Sequence, residues 1–165
     1  MKIIRINAYP KNKKHFIKLK IFCKQILEIL QALKIKPVAW GGLTYFAYTR
    51  DENATVHDID LAIPYKGLAK VMKVLDEKRM KYTYNKKWRA LVVSKGKLNI
   101  DLDPLEDYYK GKRKFNTFDF EGLVLKSASL DDLIKMYEKA ARVSKDKPEQ
   151  HRKRLEELEK VKKRE

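Results

Sequence analysis

Two short stretches of the chain carry the same unusual alternation, and together they narrow the folds open to it. In "HDIDLAIP", residues 57–64, Asp58 and Asp60 flank Ile59; in "LNIDLDP", residues 98–104, Asp101 and Asp103 flank Leu102. Strand side chains point alternately to the two faces of a sheet. Each stretch, read as a strand, sets two carboxylates on one face. Ile59 and Leu61, or Ile100 and Leu102, then go to the other. Burying unpaired acids is costly, and like charges a few ångströms apart drive one of a pair to take up a proton.

A divalent cation resolves that conflict, because magnesium accepts carboxylate oxygens together with phosphate oxygens. If the two strands are neighbours in one sheet, three carboxylates can converge on a two-metal site. Such a site clamps the attacking and leaving oxygens of a phosphoryl displacement. Acid alternation also occurs on ordinary wet sheet faces, so the surroundings of the first stretch matter. Upstream, "KPVAWGG" reads as a short buried strand, Val38 to Trp40, that runs into Gly41-Gly42 and a short helix, "LTYFAYTR". Glycines at a strand end let backbone N–H groups approach a phosphate, and a helix N-terminus favours its charge.

The rest of the chain reads as one α+β domain, a small mixed β-sheet flanked by helices with a C-terminal helical extension. Apolar positions from Phe16 to Leu33 recur in threes and fours, while Lys20, Lys24 and Glu28 fall on the other side, which predicts an amphipathic helix. The lone cysteine, Cys23, lies on its apolar face and reads as a core residue. Leu68, Val71, Met72 and Leu75 mark a second helix. Ala90–Val93 and Leu98–Asp103 read as a hairpin about Gly96, and "FNTFDFEGLVLKS" as a strand pair turning at Glu121-Gly122. From Ser129, an N-cap candidate, the pattern is helical: Leu130, Leu133, Ile134 and Tyr137 form a stripe, and Pro148 opens a last helix. Domain organisation is expected to be a single unit over 1–165, with a core to about residue 128 and helices over 129–165.

"VAWGG" followed by "HDIDLAIP" resembles the nucleotidyltransferase superfamily that shares the DNA polymerase beta fold. In that family a Gly-Gly or Gly-Ser turn precedes an acid-apolar-acid strand, and a third acid comes from a later strand. The likeness spans roughly residues 37–146. Within the superfamily, "SLDDLIKMYEKAARVSKD", residues 129–146, resembles the C-terminal helix of small nucleotidyltransferases that include abortive-infection toxins. The resemblance implies that Asp58, Asp60 and Asp101 are catalytic metal ligands for Mg2+ or Mn2+, with Asp101 as general base. Asp103 shares its face with Asp101, and the choice between them rests on the family's position. The resemblance also implies that Gly41 and Gly42 cradle the triphosphate of an NTP and that Lys135 and Lys139 reach the same phosphates. Two departures touch the nucleotide contacts: fifteen residues, 43–57, separate Gly42 from Asp58, and Val56 stands where the family often has a hydroxyl residue.

Charge bears on the partner. Lys and Arg number 39 against 22 Asp and Glu, a formal net charge of +17. Lys- and Glu-rich compositions mark proteins of hot environments, but that accounts for abundance of both signs and not for the imbalance. A strongly basic chain suits a polyanion. Lys11, Lys13, Lys14, Lys18, Lys20 and Lys24 crowd the N-terminal region, and "YYKGKRKF", residues 108–115, sets Lys110, Lys112, Arg113 and Lys114 among aromatic rings, a pattern suited to RNA. The expectation is therefore NMP transfer to an acceptor hydroxyl, with the charge favouring RNA such as a tRNA end and a small-molecule or protein acceptor left open. A non-catalytic nucleic-acid-binding module and a toxin held by a protein antitoxin stand as the alternatives. A lone cysteine excludes an internal disulfide, and His15, His57 and His151 have no matching cysteines for zinc. His57 points away from the acids and reads as structural. With no long apolar run and no signal-peptide pattern, a cytoplasmic protein without a membrane partner is expected.

Overall fold

The alternation in residues 58–63 and 98–104 does produce two strands, and they are neighbours. The computed structural model describes residues 2–108, 114–143 and 147–165. Along the chain run β1 (Ile3–Arg5), α1 (Lys13–Ala32), β2 (Val38–Trp40), α2 (Gly41–Thr49), β3 (Asp58–Ile63), α3 (Gly67–Glu77), β4 (Lys81–Asn85), β5 (Ala90–Lys95) and β6 (Leu98–Pro104). A single-turn helix α4 (Leu105–Tyr108), the pair β7 (Phe115–Asp119) and β8 (Val124–Ala128), and helices α5 (Leu130–Val143) and α6 (Pro148–Arg164) follow.

Eight strands among the described residues form one mixed sheet in the order β1-β7-β8-β2-β3-β6-β5-β4. Its centre is the parallel pair β3 and β6, flanked by antiparallel β2 and β5. Because side chains alternate, one face of this centre is apolar throughout. Ile59, Leu61, Leu91, Val93, Ile100 and Leu102 are wholly buried there, beneath Phe16, Leu19, Cys23, Ile26 and Leu30 of α1 and Leu68, Val71 and Leu75 of α3. The opposite face is covered only in part. Val38, Ala62 and Ala128 pack under Leu105, Phe115 and Met136, while Tyr45 of α2 meets Leu130, Leu133, Ile134 and Tyr137 of α5 and Leu158 of α6. From β6 outward to the edge strand that face stays open: Lys81, Thr83 and Asn85 are exposed, and Val92 and Ser94 partly so.

The expected α+β architecture with a mixed sheet and C-terminal helices is present, with three differences of detail. The sheet is larger than the sequence indicates, because β1 and β4 carry little sequence signal. Three residues are too few to show a period, and "KYTYN" half-buries only Tyr82 and Tyr84. The short helix α2 begins at Gly41, so the two glycines form its first turn and no separate turn precedes it. Lys20 is buried, in contrast to Lys24: its ammonium donates to the Phe120 carbonyl at 2.9 Å and lies 5.6 Å from the Tyr9 and Phe16 ring centres. A long stem allows this, since the methylenes cover apolar surface while the charge finds an acceptor. Ser129 caps α5 as expected, its hydroxyl accepting from the Asp132 backbone N–H at 3.2 Å. No helix among the described residues is long and apolar enough to cross a membrane.

Candidate active site

Strand pairing sets the site. In the β3–β6 ladder Asp60 lies opposite Asp101 and Asp58 opposite Asn99; Trp40 of β2 lies opposite Asp60 on the other side. Asp58, Asp60 and Asp101 therefore share the partly open face, and their carboxyls act on one another. Asp60 is raised well above the usual carboxylate range, chiefly because burial strips water from it and then because Asp101 repels it. Its carboxyl is hydrogen-bonded to that of Asp101, which is also raised, by desolvation and by the charge of Asp58. Two carboxyls can bond only by sharing a proton, so the pair titrates as a unit. The upward shift of both groups is the cost that the spacing implied.

Asp103 lies one further step along the same strand face. Burial and the charge of Asp101 push its carboxyl up to about 7, while the neighbouring Trp40 side chain works in the opposite direction. Asp103 thus lies beside Trp40, while Asp101, the acid that the family resemblance favours, faces Asp60.

The first turn of α2 closes over these groups. Gly41 has φ +70, and a Cβ there would collide with the Asp60 carboxylate. Any side chain would push the helix backbone off the acid, so the glycine permits both the left-handed corner and the close approach. A Cβ at Gly42 would sit 3.4 Å from Nη1 of Arg154, a residue of α6. Arg154 donates from Nη1 to the Tyr137 hydroxyl at 3.1 Å, and its guanidinium lies 5.0 Å from the Tyr45 ring centre. Burial raises Tyr137, whose hydroxyl also feels the charge of Asp60. The last helix therefore reaches the same corner as the glycines and the acids.

Arg154 does not stand out in the sequence, because "HRKRLEELEK" looks like a solvated charged face. The spacing of Leu155, Leu158 and Val161 marks the packed stripe of α6, and Arg154 sits one turn before the buried Leu158. Lys135 and Lys139, by contrast, lie exposed on α5. Lys135 is beside Asp131, which pairs with Lys162 at 2.8 Å. The basic segment 109–113 and the last residues of the C-terminal motif, 144–146, lie outside the described residues.

The remaining candidates take no part in this corner. His57 is exposed; its carbonyl lies 2.9 Å from His15 Nε2 and its own ring 3.1 Å from the Thr55 hydroxyl. Cys23 is buried in the core, and its thiol is pushed up to about 12 by desolvation, which leaves no thiolate at neutral pH.

The donor chemistry fits a hard divalent cation: oxygen ligands only, two of them facing across adjacent strands. No three His, Cys, Asp or Glu side chains among the described residues form a ready metal cage. Magnesium does not ask for one, since it is commonly held by one or two carboxylates and completed by water and substrate phosphates.

No protein-family model matches the sequence, and no curated protein is similar to it. Solved structures are similar in fold. The antibiotic-resistance factor ANT(2'')-Ia superposes with a TM-score of 0.65 at 16% identity, covering 90% of this chain and 89% of that one. The lincosamide antibiotic adenylyltransferase LnuA gives a TM-score of 0.61 at 15% identity, covering 86% and 96%. TM1012 from Thermotoga maritima gives 0.55 at 20% identity, covering 92% and 98%. The chain has the nucleotidyltransferase fold.

Proposed function

We propose that this nucleotidyltransferase-fold protein is a metal-dependent enzyme that moves a nucleoside monophosphate from an NTP to a hydroxyl of RNA. The observation that carries the reading is the in-register facing of Asp60 and Asp101 on adjacent strands, directly under the Gly41-Gly42 turn. Asp58, Asp60 and Asp101 are the residues to hold Mg2+ or Mn2+, and the bound ion would supply charge neutralisation on the phosphoryl oxygens. Gly41 and Gly42 present backbone N–H groups to the triphosphate. Asp101 takes the proton of the acceptor hydroxyl as its oxygen attacks the α-phosphorus. The bond from that phosphorus to the β-phosphate oxygen breaks, and pyrophosphate leaves. Lys135 and Lys139 are rim charges that an incoming polyanion meets.

Two features support RNA as acceptor. The net charge of +17 favours a polyanion. The sheet face leading from Asp101 to β4 carries Asn99, Val92, Ser94, Thr83, Lys81 and Asn85, with no acid beyond the aspartates already named. An open face of that kind has room for a large acceptor and offers nothing to hold a polycation. ANT(2'')-Ia has been solved in complex with adenylyl-2''-tobramycin; the polar face here, with Lys81 at its edge, suits a different substrate.

Incubation with each labelled NTP, magnesium and total RNA tests the reading. Label is expected on RNA with one preferred nucleotide, and only with the divalent ion present. Label that appears without RNA, or RNA that stays unlabelled with every NTP, would overturn the acceptor assignment.

A further inference from the structure

We propose that Arg154 grips the triphosphate of the incoming nucleotide, so that the last helix completes the nucleotide site. This rests on the nucleotidyltransferase reading of the Gly41–Asp60 corner. A guanidinium has five N–H donors in a fixed planar fork. In Arg154 one nitrogen is engaged with the Tyr137 hydroxyl, and the flat face lies over Tyr45. These contacts hold the group in place without using up the fork. No acid among the described residues lies within ion-pair distance of Arg154, although the side chain is only partly exposed. A half-buried cation with no anionic partner is an open half of a pair.

The fork faces Gly42, because a Cβ at that position would lie 3.4 Å from Nη1 and 3.9 Å from Nη2. Gly42 does not have the positive φ of Gly41. With no side chain at Gly42, the guanidinium stands close beside the first turn of α2, whose backbone N–H groups a phosphate would also meet. Three carboxylates lie on one side of this corner and a preset arginine on the other. A magnesium–triphosphate carries both signs in that order: metal toward the acids, unshielded phosphate oxygens toward the fork. Arg154 thereby takes the phosphate role that the sequence suggested for lysines of α5.

Titration calorimetry on the full chain with Mg·ATP, and separately with inorganic tripolyphosphate, tests the assignment without any turnover. Wild type is expected to bind both. Arg154→Ala is expected to weaken both by about tenfold to a hundredfold, the range of a charged hydrogen-bond pair, and Arg154→Lys to recover part of the loss. Equal tripolyphosphate affinity in wild type and Arg154→Ala overturns the role of Arg154 and leaves the enzyme reading standing, as would an effect on melting temperature alone. Failure of wild type to bind either probe removes the nucleotide site and Arg154's role with it. Should Arg154→Ala not fold, phenylglyoxal modification of the wild type, read at Arg154 by mass spectrometry, decides. Tripolyphosphate is expected to protect Arg154 several-fold, and unchanged labelling overturns the proposal.

Discussion

The two faces of the β3–β6 pair are built from the same residues in alternation, yet they do opposite things. On one face Ile59, Leu61, Ile100 and Leu102 are wholly buried under α1 and α3. On the other, Asp58, Asp60 and Asp101 share one face, where burial above all raises the proton affinity of Asp60 and Asp101 and neighbouring aspartate charge adds to it. The first face stabilises the fold and the second costs it stability. A pattern that only had to fold would not set four aspartates on one side of its two central strands. The difference separates the apolar support of the fold from the acids proposed to hold a metal, within a few residues of each strand.

Breaking the apolar face should have the largest effect on stability. Ile100→Ala removes wholly buried methyls under α1 and is expected to cost about 2–5 kcal/mol, measured by urea unfolding. Adding a ligand to the acidic face should give the next largest change. Magnesium at a hundredfold excess over its Kd is expected to stabilise the protein by about 2.7 kcal/mol. That gain, read as a rise in Tm, should vanish in Asp60→Asn.

Without metal, the acidic face makes stability depend on pH with a sign opposite to that of salt-bridged carboxylates. Asp103 binds its proton more tightly folded, at about 7, than unfolded, near 4. The folded state then holds more protons between those values, so stability falls as pH rises from about 4 to about 7. Asp60 and Asp101 act in the same direction. Metal-free Tm is expected to decline across this window, and Asp103→Asn should flatten the decline. The smallest expected effect is local: Trp40→Phe removes the indole donor and should move the Asp103 titration upward, followed by carbon-detected NMR of the carboxyl.

The same contrast explains what could be read from sequence. Period-two alternation with a hydrophobic face is a strong signal, and β2 and β3 lie where the residues placed them, as does the hairpin around Gly96. The alternation in β4 is carried by Tyr82 and Tyr84, neither of them fully buried, so its edge position left too weak a mark. Lys20 shows a limit of another kind, because helical position put it on the charged side while a long stem let it turn into the core. That the acids and glycines meet at one corner was legible, because each position follows from local backbone geometry. Arg154 was not, since its approach to Gly42 depends on how α6 crosses α2, and nothing in a run of charges specifies a crossing.

The most direct test of the central claim uses the preferred NTP, labelled in turn at the α and γ positions, with magnesium and RNA, on wild type and Asp60→Asn. Wild type is expected to transfer the α-label and never the γ-label. Asp60→Asn is expected to transfer neither, with a Tm equal to or above that of wild type. Transfer of the γ-label, or full α-label transfer by Asp60→Asn, would contradict the account.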